Sequence, residues 1–372
     1  MQQEYQAVII GAGIAGLTTA LALARRGIRT RVLERAPELS EIGAGLQLSP
    51  NAVRVLDALG LAAALDAVSL PSRAVHLRDA SGATVLRLDM QRHRPDARYR
   101  LIHRARLIEI LAAAARDAGV EIQLDQPVEA LPDAPLIIGA DGLHSRTRQH
   151  LNGREVPFFT GQTAWRAVIA DDASDAPEAQ VFMGPGRHLV SYPLASGLRN
   201  LVAVQERRDW QDEGWSHRDD PENLRHAFAA FGGPVPDWLA RVQQTHIWGL
   251  FRHEVARIWQ DGTHVLIGDA AHSTLPFMAQ GACMAIEDAW LLAACLTDAD
   301  QPAALARFEA LRKPRVTQIV AAANANARNY HLTGAKRLAA HTALRLAGRI
   351  VPRRVLSRFD WIYDYDPATE IR

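Results

Sequence analysis

Residues 5–16 read Tyr-Gln-Ala-Val-Ile-Ile-Gly-Ala-Gly-Ile-Ala-Gly, and an Ala- and Leu-rich stretch follows up to Arg26. The apolar run at 5–10 predicts a buried strand, the glycines predict a tight turn, and the stretch after them predicts a helix that ends at Gly27. A second strand is predicted over residues 29–33. Together these elements predict a βαβ unit, in which the two strands are parallel.

The turn has the spacing Gly-x-Gly-x-x-Gly, which is typical of dinucleotide-binding proteins when it lies between a strand and a helix. Gly11 allows the tight turn, Gly13 lets a pyrophosphate approach the backbone, and Gly16 lets the helix pack closely on the strand. The phosphates would then lie at the helix N-terminus, beside Ile14 and Ala15. A purely structural glycine turn is the alternative that this spacing leaves open.

An acidic residue, Glu34, ends the predicted second strand about twenty residues after the turn. An acid at this position binds the hydroxyls of a ribose, and it favours FAD or NAD over NADP because it requires a free 2′-hydroxyl. The combination of this acid with the glycine turn favours dinucleotide binding over the structural alternative.

Two later segments place an aspartate directly after a predicted strand: residues 136–142 read Leu-Ile-Ile-Gly-Ala-Asp-Gly, and residues 264–269 read His-Val-Leu-Ile-Gly-Asp. Asp141 with Gly142 fits either a backbone that packs against a cofactor or a plain Asp-Gly turn. Asp269 lies beside a predicted helix N-terminus, where backbone N–H groups collect. The first turn and this aspartate predict one long cofactor that is bound at both ends.

The chain has 372 residues, of which 48% are hydrophobic, and a formal net charge of +1. The length predicts two domains or one large domain, and the balanced charge argues against nucleic acid as a partner. We expect neither a membrane span nor a signal sequence, because no apolar run is long enough and the N-terminus leads directly into a strand. Cys283 and Cys295 would lie roughly 18 Å apart on one predicted helix, too far for a disulfide, so a reduced, cytoplasmic protein is expected.

The order of predicted elements favours an α/β fold: a Rossmann-like nucleotide-binding domain, an inserted substrate domain with a mostly antiparallel β-sheet, and C-terminal helices. The substrate would lie between the two domains, where pockets are common. Residues 328–358 are basic and amphipathic. We expect them to pack on the nucleotide-binding domain rather than on a membrane or in a dimer contact, and the oligomer (monomer or homodimer) stays open. The predicted domains are a discontinuous nucleotide-binding domain of residues 1–72, 100–155 and 255–330, a substrate domain of residues 73–99 and 156–254, and a C-terminal helical region of residues 331–372.

In order and spacing, the glycine turn with Glu34-Arg35, the Asp141-Gly142 segment and the Gly268-Asp269 segment resemble the group A FAD-dependent aromatic hydroxylases, of which para-hydroxybenzoate hydroxylase is a type member. The resemblance extends to about residue 330. It implies an FAD-binding domain of the GR2 type with the inserted sheet domain. Four further segments are most similar to the branch with salicylate hydroxylase and 3-hydroxybenzoate 6-hydroxylase: residues 43–52, 102–104, 164–166 and 276–282.

The resemblance implies a single-component monooxygenase. Such an enzyme reduces FAD with NADH or NADPH, forms a C4a-hydroperoxyflavin with O2 and hydroxylates an aromatic or heteroaromatic ring, here expected to be that of a phenolic acid. The residues leave two other classes open: a hydroxylase of a polyketide, quinone precursor, urate or antibiotic, and a flavin-binding protein without turnover. No metal is expected, because the candidate histidines lack the spacing of a second ligand.

The resemblance also assigns roles to individual cofactor contacts. Glu34 would hold the adenosine ribose, Asp269 the ribityl chain, and Arg106 the pyrophosphate or ribityl region; Arg106 is otherwise a solvent-exposed helix arginine. Pro276 and the backbone of residues 279–282 would lie along the isoalloxazine ring. Asp141 would shape the loop through which the nicotinamide arrives. The residues predicted to bind the cofactor are Gly11, Gly13, Ile14, Ala15, Gly16, Glu34, Arg35, Gln47, Arg106, Asp141, Asp269, Pro276, Gln280, Gly281 and Ala282.

A base that removes the proton of a phenol makes the ring a better nucleophile, and a histidine suits this role. His188 lies on a strand predicted to line the substrate side, and the resembling branch can carry a base in a comparable strand; a buried sheet histidine without catalytic function is the alternative. Pro276 is the second predicted catalytic residue. An anionic substrate would need an arginine, because the guanidinium binds carboxylates in a bidentate manner. The candidates are Arg166, Arg187 and Arg252, each of which is otherwise a surface arginine.

Overall fold

A computed structural model describes residues 5–39, 44–171, 176–209 and 217–371. Of the motif at 43–52, Gly43 lies outside the described residues. The described chain forms three β-sheets with helices packed against them, which confirms the predicted α/β fold. The strands, in chain order, are β1 (Ala7–Ile10), β2 (Thr30–Leu33), β3 (Gly45–Leu48), β4 (Ser69–Pro71), β5 (Ala74–Asp79), β6 (Thr84–Asp89), β7 (Arg100–His103), β8 (Glu121–Gln123), β9 (Ile137–Gly139), β10 (Phe158–Ala170), β11 (Glu178–Gly184), β12 (Arg187–Leu194), β13 (Leu198–Glu206), β14 (His217–Asp219), β15 (Thr245–Arg252) and β16 (His264–Leu266).

The helices connect the sheets and form the C-terminal part of the described chain. Among them, none combines the length and the apolar content needed to cross a membrane. A short 3-10 helix spans Gly142–His144. The α-helices, in chain order, are α1 (Ile14–Ala24), α2 (Pro50–Ala58), α3 (Ala62–Val68), α4 (Met90–His93), α5 (Arg104–Asp117), α6 (Arg146–Asn152), α7 (Pro221–Ala227), α8 (Val235–Ala240), α9 (Asp269–His272), α10 (Gly281–Asp298), α11 (Gln301–Tyr330), α12 (Gly334–Ile350), α13 (Pro352–Ser357), α14 (Asp360–Tyr363) and α15 (Pro367–Glu370).

The first sheet is parallel and contains the predicted βαβ unit. Its strand order is β16-β9-β1-β2-β8, and α1 joins β1 to β2. The central strand β1 is buried along its whole length, as its four apolar residues require. The later strands β8, β9 and β16 return to this sheet and pair in parallel. The Rossmann-like unit is therefore assembled from segments that are far apart in the sequence.

The second sheet is mostly antiparallel, as predicted. Its order is β14-β15-β10-β13-β12-β11-β5-β6, and each neighbouring pair is antiparallel except β11 with β5. All its strands lie within residues 74–89 and 158–252, and the exact domain boundaries stay a prediction. The third sheet, β3-β7-β4, contacts both α10 and β12. It therefore connects the parallel sheet and its helices with the second sheet.

The C-terminal stretch forms separate helices, and it packs differently from its prediction. The basic stretch of residues 328–358 is divided at Val351, which has φ −135° and ψ 50°. Pro352 causes the break, because proline disfavours the helical conformation of the residue before it and begins a new helix well. In addition, α12 and α13, which contain most of residues 328–358, pack against β6 of the second sheet, whereas the helices that pack against α2, α14 and α15, follow this stretch. The expectation that the whole stretch packs on the nucleotide-binding domain is therefore wrong.

A buried ion cluster joins α10 to α11. Arg312 is fully buried; its Nε donates to Asp288 Oδ1 at 2.7 Å, and its Nη1 lies 2.7 Å from Glu287 Oε2. Asp288 also accepts a hydrogen bond from the Gly268 amide at 3.0 Å and pairs with His272. Burial alone would raise the pKa of Asp288, but the charges of His272 and Arg312 and these hydrogen bonds lower it to about 2. Asp288 is therefore ionised and ties the Gly268 turn to α10.

We expect Arg312→Met to destabilise the protein strongly, because it leaves Glu287 and Asp288 buried without their guanidinium. Removing one partner of a buried ion pair costs about 3–5 kcal/mol, so the midpoint of urea unfolding should fall markedly. The matched control is Arg307→Met on the same helix, since Arg307 pairs with the half-exposed Asp298 at the surface. That change should cost less than about 1 kcal/mol. Equal midpoints for the two variants would contradict the importance of the buried cluster.

Candidate active site

A cavity of about 670 Å³ lies where the carboxyl ends of β1, β2 and β9 face the second sheet. Open α/β sheets bind their ligands at this edge. The glycine turn and Glu34 line one side of the cavity, and residues of β12 and β13 line the other. Gly11 and Asp269, which are more than two hundred residues apart, line the same cavity. The two ends predicted to hold one long cofactor therefore share one groove.

The glycine turn brings backbone to the cavity. Gly11, Gly13, Ile14 and Ala15 line it, and α1 begins there, so its first N–H groups collect at this edge. Gly16 is not among the lining residues. A Cβ at Gly16 would lie 1.9 Å from the carbonyl oxygen of Gly11, so only glycine lets α1 pack this closely on the turn, as predicted.

The Glu34 carboxylate is fixed at the end of β2. Its Oε2 accepts a hydrogen bond from the Ala12 amide at 2.7 Å, and its Oε1 accepts one from the Ala36 amide at 2.9 Å. A carboxylate has about four acceptor positions, so these two bonds leave it able to accept from ribose hydroxyls. Glu34 and Arg35 both line the cavity. This arrangement fits the adenosine half of FAD.

The Gly268-Asp269 turn lies against the start of α1. Gly268 has φ +57°, and a Cβ there would be 2.8 Å from the Cβ of Ala15. Glycine is therefore required both for the left-handed conformation and for the close approach. Asp269 begins α9 and lines the cavity. Its carboxylate is thus placed beside the segment that would bind the middle of the cofactor.

The segment 274–282 leads from α9 into α10 along the cavity wall. Pro276, Gly281 and Ala282 line the cavity, and α10 begins at Gly281. The N-terminus of this 18-residue helix favours negative charge at this end of the cavity. Gln280 also lines the cavity, but its side-chain amide is buried and donates to Ser49 Oγ at 2.9 Å. Gln280 therefore braces the loop against the start of α2.

Two further predicted cofactor residues line the cavity with part of their bonding capacity in use. Gln47 Oε1 accepts a hydrogen bond from the Tyr99 hydroxyl at 2.9 Å. Asp141 Oδ2 accepts one from the Arg146 amide at 2.8 Å, at the start of α6. Burial raises the pKa of Asp141. Asp141 thus holds the shape of its loop, and its role in the arrival of the nicotinamide stays a prediction.

The arginine of α5 that reaches the cavity is Arg104. Arg106 has a mostly exposed side chain, pairs with Glu109 on the same helix at 2.8 Å and is not a lining residue. Residues two apart on a helix lie on opposite faces, so only one of these arginines can face the cavity. Arg104 directly follows β7 and lines the cavity. Because Arg104 directly follows a strand, the sequence could have indicated that it lies at the cavity.

The side of the cavity that was predicted to bind substrate is lined by alternate residues of strands in the second sheet. His188, Val190 and Tyr192 of β12 line it because every second residue of a strand points to the same face. Arg166 of β10 lines it too, and its guanidinium lies 4.5 Å from the ring centroid of Trp248. Burial raises the pKa of Tyr192, and the charge of Arg166 partly offsets this rise. Tyr192 was not predicted, because only the observed face of β12 identifies it.

The other two predicted substrate arginines do not line the cavity. Arg187 is next to His188 on β12 and therefore points to the opposite face, where its guanidinium donates to the carbonyl of Ala227. Arg252 ends β15, and its guanidinium lies 5.6 Å from the ring centroid of Phe158. Of the three candidates, the structure brings only Arg166 together with His188.

His188 is buried, with 1% of its surface exposed. Burial lowers its pKa well below the usual value, and the neighbouring His331 lowers it further. The imidazole is therefore neutral near pH 7. A neutral imidazole has one nitrogen that can accept a proton, as a base in this position requires.

Three metal-ligating side chains lie close together on the surface, outside the residues that line the cavity: His150, Asp261 and His264. The nitrogen Nδ1 of His264 lies 3.1 Å from the carboxylate of Asp261. This hydrogen bond holds His264 and Asp261 together without a metal ion. That the protein binds no metal stays a prediction.

Comparisons with known proteins also indicate an FAD-binding protein. A model of the family described as "FAD binding domain" matches residues 4–134 and 132–323. A 3-amino-4-hydroxybenzoate 2-monooxygenase, PtnB3 of Streptomyces platensis, is 36% identical, with 97% of this chain and 96% of the relative covered. A 3-hydroxybenzoate 6-hydroxylase of Klebsiella oxytoca is 34% identical, with 91% of each chain covered.

Solved structures with the same fold include enzymes with bound FAD. The structure of Klebsiella pneumoniae HpxO with FAD and uric acid has a TM-score of 0.81 and 28% sequence identity, with 96% of this chain and 98% of that chain covered. The chain therefore belongs to the FAD binding domain family and, within it, is an FAD-dependent monooxygenase of the group A aromatic hydroxylases.

Proposed function

We propose that the enzyme hydroxylates a small aromatic acid that carries a ring hydroxyl, with NADH or NADPH as reductant and O2 as oxygen source. The observation that carries this proposal is that Arg166 and His188 line the same cavity as the FAD-binding turns. To bind and activate a phenolic acid, an enzyme needs a group that binds the carboxylate and a group that accepts the proton of the ring hydroxyl. The relatives named above are named for 3-amino-4-hydroxybenzoate and 3-hydroxybenzoate, and each of these molecules carries a carboxylate and a ring hydroxyl.

Arg166 is the proposed anchor for the substrate carboxylate. Its guanidinium offers a planar pair of donors, and its contact with the Trp248 ring restricts the orientation of that plane. A substrate carboxylate bound there places the ring between β10 and β12. The apolar side chains of Val190, Val202 and Val204 line this part of the cavity and exclude water from the ring.

His188 is the proposed base. It accepts the proton of the ring hydroxyl, so that the O–H bond breaks and a His188 N–H bond forms. The resulting phenolate has more electron density on the ring carbons. When bound, reduced FAD supplies the chemistry that activates O2 and delivers one oxygen atom to such a ring. Pro276, the second predicted catalytic residue, would act by packing against the flavin ring and not by proton transfer.

The substitution Arg166→Met should weaken the binding of an aromatic acid about 10- to 100-fold, because a hydrogen-bonded charge contributes about 1.5–3 kcal/mol. The measurement is the Kd from the change in flavin absorbance on titration with 3-hydroxybenzoate and its amino-substituted analogues. Arg252→Met is the matched control and should bind the acid as the parent does. The corresponding phenol without a carboxylate should bind both variants equally. Parent-like affinity of Arg166→Met for the acid would contradict the proposed anchor.

The substitution His188→Asn should slow product formation by about 10²–10⁴-fold, the usual contribution of a general base. FAD content and the Kd of the substrate should stay close to the parent values. Product is measured by chromatography beside NAD(P)H consumption, so that uncoupled oxidation is seen separately. His226→Asn, which changes an exposed histidine of α7, is the control. If His188→Asn forms product at the parent rate, His188 is not the base.

A further inference from the structure

His188 is almost fully shielded from solvent by the protein around it. His188 is 1% exposed, and the rings of Phe277 and Tyr330 pack on it with centroid distances of 5.5 and 5.1 Å. When a substrate occupies the cavity side of His188, a protein group on its other side offers the proton a way to solvent. Nδ1 of His188 lies 2.8 Å from Nε2 of His331, which directly follows α11.

The second histidine continues toward the surface. The side chain of His331 is 2% exposed, and its Nδ1 lies 2.9 Å from Oε1 of Glu206. Glu206 ends β13, and its side chain is 56% exposed. The three side chains thus form an unbroken hydrogen-bonded line from the cavity to solvent. They come from the second sheet and from the end of α11.

The line fixes the tautomer of each ring. An ionised carboxylate only accepts, so Nδ1 of His331 carries a hydrogen that it donates to Glu206. Nε2 of the neutral His331 is then an acceptor, and it must receive its hydrogen from Nδ1 of His188. This leaves Nε2 as the acceptor of His188. The nitrogen of His188 that can accept a proton is therefore Nε2, which is not bonded to His331. His188 itself lines the cavity.

We propose that His331 and Glu206 form a proton relay that connects His188 with solvent during hydroxylation. The inference rests on the proposed function, because it requires that His188 takes a proton from the substrate. When Nε2 of His188 gains that proton, its Nδ1 hydrogen passes to His331, and the Nδ1 hydrogen of His331 passes to Glu206 and then to water. Return of one proton along the same line to the product restores the starting tautomers. Protons balance, and no other reactant is needed.

The charged and titratable neighbours are compatible with this transfer. Burial lowers the pKa of His331, the hydrogen bond and charge of Glu206 raise it, and Arg187 lowers it. Burial is the largest of these effects, so the pKa of His331 is lowered overall, like that of His188, and both imidazoles favour the neutral form near pH 7. Tyr330 does not compete as a base, because burial raises its pKa to about 12.

The test compares two hydroxybenzoates in Glu206→Gln and His331→Asn. One substrate has a ring hydroxyl that is protonated at the assay pH, and the other is a fluorinated analogue that is already ionised. With the first substrate, His331→Asn should hydroxylate about a hundredfold more slowly than the parent, at the lower end of the usual range of proton-transfer catalysis, and Glu206→Gln about tenfold more slowly, below that range. With the ionised analogue, both variants should approach the parent rate, which a merely structural defect would not allow.

Controls separate this inference from the function on which it rests. Glu222→Gln, at an exposed glutamate of α7, should match the parent with both substrates. Glu206→Gln changes an exposed side chain, so it keeps the test decisive if His331→Asn fails to fold. The relay alone is overturned if the parent hydroxylates both substrates and Glu206→Gln hydroxylates both of them at the parent rate. A parent that hydroxylates no aromatic acid overturns the proposed function and the relay with it.

Discussion

The buried carboxylate of Asp288 is the constraint on which the geometry of the cavity depends. It binds the Gly268 amide, pairs with His272 and receives the Nε hydrogen of Arg312. The Gly268-Asp269 turn is thereby attached to α10, whose N-terminus lies at the cavity. Because Gly268 also lies against Ala15, the same carboxylate sets the position of the turn relative to the start of α1. The Asp288 carboxylate thus fixes the Gly268-Asp269 turn relative to the glycine turn at the start of α1.

The neighbouring Glu287 extends this constraint to α2. It accepts a hydrogen bond from Asn51 at 2.6 Å, and Gln280 donates to Ser49 in the same buried region. Such a polar network gains little net stability, because desolvation offsets the attraction, but it fixes one arrangement of the groups that it joins. Here the groups are α2, the cavity loop and α10. The loop that would lie along the flavin ring is therefore positioned by side chains behind it.

The sequence predicts the cofactor half of this site better than the substrate half. The position of Gly16 follows from the spacing of the glycine turn, and the position of Glu34 follows from the end of β2, so both can be predicted from nearby residues. Arg104 was missed in favour of Arg106 because the choice depends on which face of α5 points inward. His331 lies 143 residues from His188 and carries no motif, so only the tertiary structure brings the two rings together. Contacts between distant segments have no local pattern to reveal them.

The two halves of the site also differ in what a substitution would change. Backbone N–H groups and close-packed glycines form much of the cofactor half, so replacing those glycines disturbs the fold itself. The substrate half is formed by alternate side chains of β10, β12 and β13, whose backbone hydrogen bonds do not depend on which residue is present. One fold can therefore accept different aromatic substrates through changes on these strands. His188 is the exception, because its bond to His331 ties it to the end of α11 and restricts what can replace it.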